Sequence, residues 1–198
     1  MPSDDLSEER QKQILDAAIT EFARQGFHET RMEDIARASG LSKGALYLYY
    51  KSKDAIIAAL LRTLFAVELR GTRAIVEGAG TATERLQAIT SMFGDELDRM
   101  RVAMPILLEF YAVAFRNATV RAHMGQMFEE YRDPLERLIR KGIEQGEFRA
   151  VKPEEVSLTW VALLEGLTLL WAITPHTIAW REQAEAIMHL LLDGLRPR

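Results

Sequence analysis

The residues best suited to binding chemistry lie close together between positions 31 and 53. This stretch holds five basic side chains against two acidic ones, Glu33 and Asp34. The basic residues are Arg31, Arg37, Lys43, Lys51 and Lys53. A local positive excess attracts phosphate, so this stretch is a candidate nucleic-acid surface although the whole chain carries a net charge of −4. Charge alone leaves an alternative open, because a short basic stretch is commonly a solvated face.

The elements that position these charges are two short helices around a tight turn. Thr30 and Glu33 have the spacing of a capping box, which predicts a helix start. Gly40 supplies the reversal, and Ser42 is predicted to cap a second helix from Lys43 to about Tyr49. This order of cap, glycine and cap is typical of a helix-turn-helix.

The N-terminus of the second short helix is a candidate contact point for DNA. It carries Ser42, Lys43 and Gly44. The helix dipole and the lysine charge both favour an approaching phosphate or base edge there.

Helical periodicity continues through the rest of the chain. Ser7 is predicted to cap a first helix from about Glu8 to Gln25, and Ser52 a long helix from Lys53 to about Glu77. A second capping box runs from Thr81 to Glu84.

Prolines divide the remaining helices. Pro105 separates two of them, Asn117 begins another break, and Pro134 predicts a kink or a break. Pro153 and Pro175 are predicted to open the last two helices. Because strand-type alternation is missing, we expect an all-α fold of about nine helices.

Composition narrows the class of protein. The chain has 198 residues and no cysteine, which excludes disulfides and thiolate metal sites. The polar segment Met1 to Gln13 does not look like a signal peptide, and the apolar run from Trp160 to Pro175 is expected to be too short to span a bilayer. We therefore expect a soluble, cytoplasmic protein.

Catalysis finds little support. The four histidines are scattered, without the spacing of a helical metal site, and no phosphate loop or nucleophile elbow is present. The sequence therefore predicts neither an enzyme nor a metal or cofactor site.

Three runs of sequence resemble the signature of the TetR family of transcriptional regulators. They are Gly26 to Ala36, Ala38 to Tyr47 and Tyr49 to Lys53, within a resemblance that covers about residues 10 to 60. The resemblance implies a helix-turn-helix DNA-binding domain over residues 1–52. Residues 53–198 would then form a ligand-binding and dimerisation domain.

The resemblance also implies which residues contact double-stranded DNA. They are Thr30, Arg31, Ser42, Lys43, Gly44, Tyr47, Tyr49 and Lys53. Thr30 would meet a phosphate through its hydroxyl or amide, the tyrosines and Lys53 would meet phosphates, and residues 42 to 44 would face base edges. Leu48 departs from the family, which often has a polar residue there, and Tyr50 is expected in the core.

The same resemblance implies a small-molecule effector site and a homodimer. The candidate effector residues are Met92, Phe93, Glu96, Met100, Met104, Leu108, Tyr111, Phe115, Met127 and Tyr131. The candidate dimer residues are Trp160, Leu164, Leu167, Trp171, Ile187 and Leu191. Both sets have an alternative interpretation as ordinary core.

The predicted function is a repressor that leaves a near-palindromic operator when its effector binds. The alternative is a helical protein that binds a small molecule and has no DNA function.

Overall fold

Nine helices make up the part of the chain that the computed structural model describes, which is residues 4–99 and 104–197. In chain order they are α1 (Asp4–Glu29), α2 (Met32–Ala38), α3 (Lys43–Tyr49), α4 (Lys53–Glu77), α5 (Ala82–Arg99), α6 (Met104–Arg116), α7 (Ala118–Glu144), α8 (Pro153–Ile173) and α9 (Trp180–Leu195). Strands do not occur in these residues. The expected all-α fold with about nine helices is confirmed.

The chain forms two compact units. Unit 1 consists of Met1–Phe65 and Arg101–Gly125, and unit 2 of Ala66–Met100 and Gln126–Arg198. Fully buried apolar side chains form the core of unit 1, among them Phe22, Ile35 and Leu46. The division predicted at residue 52 concerns function and stays a prediction, since the packing units divide elsewhere.

Local caps account for most helix starts. The Ser42 hydroxyl accepts a hydrogen bond from the Ala45 amide at 3.1 Å, and α3 has the predicted bounds. Ser52 caps α4 in the same way. The predicted box at α5 is complete, because Thr81 N donates to Glu84 Oε2 at 2.9 Å and Glu84 N donates to Thr81 Oγ1 at 3.1 Å.

Two predicted caps are wrong. Ser7 lies inside α1, which already includes Asp4. The N-cap of α2 is Arg31 rather than Thr30, and the Asp34 carboxylate, rather than Glu33, accepts from the Arg31 amide at 3.0 Å. The box is shifted by one residue because Thr30 is drawn into the core.

Prolines and apolar runs also behave differently in part. Pro134 lies within the continuous helix α7, so the predicted break does not form. Pro175 lies in a turn, and α9 begins five residues later at Trp180. The apolar run expected to be too short for a bilayer belongs to α8, which starts at Pro153 and is long and apolar enough to span one by length and composition alone. A buried face that includes Trp160 fits a core helix equally well.

Candidate nucleic-acid interface

The turn between α2 and α3 is built by a glycine and a set of backbone hydrogen bonds. Gly40 has φ +67°, a left-handed conformation that glycine adopts without strain. The Leu41 amide donates to Ala36 O at 3.0 Å. From α1, Gln13 Nε2 donates to Ser39 O at 2.5 Å. The turn is thereby fixed to both neighbouring helices.

Helix α3 divides cleanly into a buried side and an exposed side. Leu46 is fully buried and anchors the helix, and Tyr50 is buried as predicted. The exposed side carries Ser42, Lys43, Gly44 and Leu48, which we call the recognition face. Tyr47 and Tyr49 flank this face and are half-buried. The sequence therefore places its predicted base-edge residues on the solvent side of the helix.

The recognition face is apolar at one point and open at another. Leu48 is 77% exposed, which is unusual for a leucine. A Cβ built on Gly44 would meet only Ser42 Oγ, at 4.0 Å. The missing side chain at Gly44 thus lets another molecule approach the backbone closely.

Lys43 already has an anionic partner in the free protein. Its ammonium forms an ion pair with the Glu33 carboxylate of α2, and both side chains are more than half exposed. This hydrogen bond raises the pKa of Lys43 and lowers the pKa of Glu33. DNA must therefore compete with Glu33 for the lysine.

Thr30 does not occupy the role predicted for it. Its side chain is fully buried, and its hydroxyl donates to Gly26 O at 2.7 Å. Its amide donates to the same carbonyl at 3.3 Å. Both donors are used inside the protein because Gly26 leaves helical geometry, with φ 79° and ψ 160°. We therefore correct Thr30 from a phosphate contact to a structural residue, whereas Arg31 beside it is exposed.

Lys53 has an intramolecular role that its sequence position does not reveal. Its ammonium donates to Phe27 O at 2.5 Å and to His28 O at 3.2 Å, and lies 4.3 Å from the Phe27 ring centroid. Desolvation lowers the pKa of this half-buried lysine. Lys53 thus caps carbonyls at the end of α1, and a phosphate would have to share it.

Helix α6 is tied to the same end of α1. Glu109 Oε1 accepts a hydrogen bond from the Phe27 amide at 2.8 Å. At the start of α7, Asn117 Nδ2 donates to Asp54 Oδ2 of α4 at 2.7 Å. Polar contacts therefore join α6 and α7 to the segments around the helix-turn-helix within unit 1.

The candidate effector residues do not form one group. Met104, Leu108 and Tyr111 belong to unit 1, where Met104 is buried and the others are half-buried. Phe115 is 82% exposed, so its predicted place in a pocket is wrong. Met100 lies outside the described residues. The members in unit 2, all partly buried, are Met92, Phe93, Glu96, Met127 and Tyr131.

Unit 2 contains a group of buried polar side chains that the sequence did not single out as a whole. We call it the Glu68 cluster: Glu68 and Thr72 from α4, Tyr131 from α7 and Trp160 from α8. Glu68 is 4% exposed, Thr72 0% and Trp160 3%. Each member has a buried polar atom without a hydrogen-bond partner among the described residues. Such atoms are costly, so a molecule that satisfied them would be stabilised.

The electrostatics of this cluster are negative. Burial raises the pKa of Glu68 to about 7, opposed by the Tyr131 hydroxyl and reinforced by the carboxylates of Glu165 and Glu96. Burial also raises the pKa of Tyr131. The signal in the sequence is an acid within the apolar stretch Val67 to Leu69 of a core helix.

The candidate dimer residues lie mainly inside the chain. Trp160, Leu164, Leu167 and Trp171 are buried within the monomer, so the core interpretation is correct for them. Ile187 and Leu191 are half-buried. The prediction is wrong because α8 is apolar on both sides, and hydropathy did not distinguish the inward side.

A different set of apolar residues remains on the surface. We call it the outer face of α8: Ala162, Leu163, Gly166, Leu170 and Ile173. The three large members are 40%, 57% and 66% exposed, in chain order. Spacings of three and four residues place them on one side of the helix. Leu190 of α9 is 76% exposed as well.

Metal ligation has no visible centre. Within residues 4–99 and 104–197, three histidine or acidic side chains do not come together as a possible ligand set.

An exposed recognition helix joined to a helical body is the architecture of a DNA-binding transcriptional regulator. Residues 14–60 match the family of bacterial regulatory proteins described as tetR, and residues 82–197 match the BetI-type transcriptional repressor C-terminal family. The chain belongs to the TetR family. It is a ligand-responsive, DNA-binding transcriptional regulator.

Individual relatives agree with this assignment. The HTH-type regulator YfiR of Bacillus subtilis is 32% identical over 149 residues, 74% of this chain and 71% of the relative. FadR of B. subtilis in complex with stearoyl-CoA is 21% identical with a TM-score of 0.80, covering 93% of this chain and 99% of that one. A regulator of Saccharomonospora viridis in complex with choline is 22% identical with a TM-score of 0.79, covering 96% and 100%. The two structures establish similarity of fold.

Proposed function

We propose that this protein is a cytoplasmic repressor that binds a near-palindromic operator as a homodimer and releases it when a small-molecule effector binds. The observation that carries the DNA part is the recognition face. It is exposed, it belongs to a helix anchored by buried Leu46, and it holds the base-edge residues of the family signature. The family match at residues 82–197 to a repressor C-terminal domain supports repression.

The proposed contact set follows from exposure. Ser42, Lys43, Gly44 and Leu48 face base edges, where Leu48 can contact a thymine methyl group. Backbone phosphates are contacted by the remaining candidates, Arg31, Tyr47, Tyr49 and Lys53. Lys53 contributes through the donor that its two carbonyl partners leave available.

The homodimer is proposed to form through the outer face of α8. Exposed apolar side chains at helical spacing are stabilised when a partner removes them from water. A Cβ on Gly166 would meet nothing within 4 Å, so a second backbone can approach there. A twofold axis would then present two recognition faces to half-sites about one helical turn apart, roughly 34–36 Å.

The effector is proposed to bind inside the C-terminal domain. FadR was solved with stearoyl-CoA and the S. viridis protein with choline, so this fold holds ligands of very different chemistry. Binding would shift the population away from the conformation that fits the operator.

A footprint on DNA upstream of the protein's own gene tests the proposal. We expect protection of a near-palindromic site that weakens steeply as salt rises. Lys43→Ala combined with Tyr47→Ala should abolish protection, whereas Lys141→Ala, an exposed lysine of α7, should not. Protection that survives the double substitution would exclude the recognition face as the DNA-reading surface.

A further inference from the structure

The Glu68 cluster contains an uncompensated buried acid. The side chains that act on Glu68 are the hydroxyl of Tyr131 and the carboxylates of Glu165 and Glu96. Glu96 is itself paired with Arg99 at 3.0 Å. An ionised carboxylate in such surroundings is unfavourable unless a positive charge is supplied.

Aromatic rings lie beside this acid. The rings of Tyr131 and Trp160 are stacked, with centroids 6.0 Å apart and planes inclined by 21°. The electron-rich faces of tyrosine and tryptophan attract cations, and quaternary ammonium groups in particular. A buried carboxylate next to an aromatic pair therefore differs from a hard metal site, which would collect several oxygen ligands.

The neighbouring wall is apolar and adaptable. Met92 of α5 packs so closely on Gly71, one residue before Thr72, that a Cβ at Gly71 would overlap the Met92 sulfur. The methionine side chain is flexible and polarisable, which suits the alkyl part of a ligand. Thr72 and Trp160 add hydrogen-bonding atoms without partners among the described residues.

From this arrangement we propose that the Glu68 cluster binds an organic cation of the alkylammonium class, with Glu68 as the counter-charge and Tyr131 and Trp160 as the aromatic wall. The proposal rests on the proposed function in that the cation would be the effector. It selects one ligand chemistry among those that the fold can hold.

Thermal unfolding and calorimetric titration of the full chain at pH 8 test this site. The probes are choline, tetraethylammonium and tetraphenylphosphonium, three permanent cations of increasing size, at constant chloride concentration. The control 3,3-dimethylbutan-1-ol replaces the choline nitrogen by carbon. We expect at least one cation to raise the melting temperature with increasing concentration, and the neutral isostere to have no such effect.

Variants identify the residue responsible. Glu68→Gln should weaken binding of that cation about ten-fold or more, and Glu68→Asp, which keeps the charge, should restore part of it. Glu77→Gln removes an exposed acid of the same helix and should leave binding unchanged. The site is refuted if Glu68→Gln binds with wild-type affinity, if the neutral isostere binds as well as choline, or if all three cations fail to bind.

Operator binding by the same preparations separates the two proposals. If the chain binds its operator but these cation tests fail, the proposed function stands and the ligand class is wrong. If a cation binds through Glu68 but the chain protects no operator, the repressor function fails.

Discussion

Replacement of Glu68 by glutamine tests the electrostatics of the unit 2 interior independently of any ligand. Burial raises the pKa of this carboxyl from its ordinary 4.5 to about 7. The folded protein therefore holds the proton more tightly than the unfolded chain does. The group lowers the unfolding free energy only when it is ionised, so stability is highest below pH 4.5 and falls as the pH rises to about 7.

The size of the effect follows from the pKa difference. The step from 4.5 to about 7 corresponds to about 3 kcal/mol at 1.36 kcal/mol for each pKa unit. Because glutamine cannot ionise, Glu68→Gln should raise the unfolding free energy by about 3 kcal/mol at pH 8. The gain should be about 1 kcal/mol at pH 5, where most of the wild-type carboxyl is still protonated in the folded state.

Urea denaturation followed by circular dichroism measures these values at one fixed protein concentration, since association would otherwise shift the midpoint. Glu77→Gln is the matched control and should show no such pH dependence. If Glu68→Gln changes stability equally at pH 5 and pH 8, the carboxyl does not titrate in the range argued here. A loss of stability at pH 8 would contradict the account outright.

Four further substitutions test other contacts. Thr30→Val should lower the unfolding free energy by about 1 kcal/mol and leave operator affinity unchanged, whereas a ten-fold loss of affinity at equal stability would return this hydroxyl to the DNA contacts. Lys53→Met should lower the unfolding free energy by about 1–3 kcal/mol in chemical denaturation, and an unchanged value would show that its carbonyl contacts are absent in solution. Glu33→Gln releases Lys43 and should tighten operator binding about two- to five-fold in low-salt titrations, and weaker binding would mean that Glu33 helps to orient the lysine. Leu170→Glu should convert the dimer to a monomer in sedimentation experiments, and a persistent dimer would exclude the outer face of α8.

Features set by neighbouring residues could be predicted from the sequence. The caps at Ser42 and Ser52 and the box at Thr81 depend on hydrogen bonds within one helical turn, and all three form. The bounds of α3 and the burial of Tyr50 followed from the same local pattern and the family signature. The fold class and the family were accessible for this reason.

Features set by distant residues could not be predicted in the same way. Thr30 looks like a cap in the sequence, but Gly26 supplies a carbonyl that draws its hydroxyl into the core. Trp160 and Leu170 are equally apolar, and only the packing of unit 2 shows that the first is buried and the second exposed. Glu68 acquires its raised pKa from burial, which depends on three other helices.

The exposure of Leu48 separates folding from the choice of DNA sequence. Its side chain is 77% exposed and contributes little to the core that anchors α3, and surface substitutions of this kind usually alter stability by less than about 0.5 kcal/mol. On the proposed contact set, the same position meets a base edge. New operator preferences could therefore evolve at Leu48 after gene duplication, through single mutations that leave the fold intact.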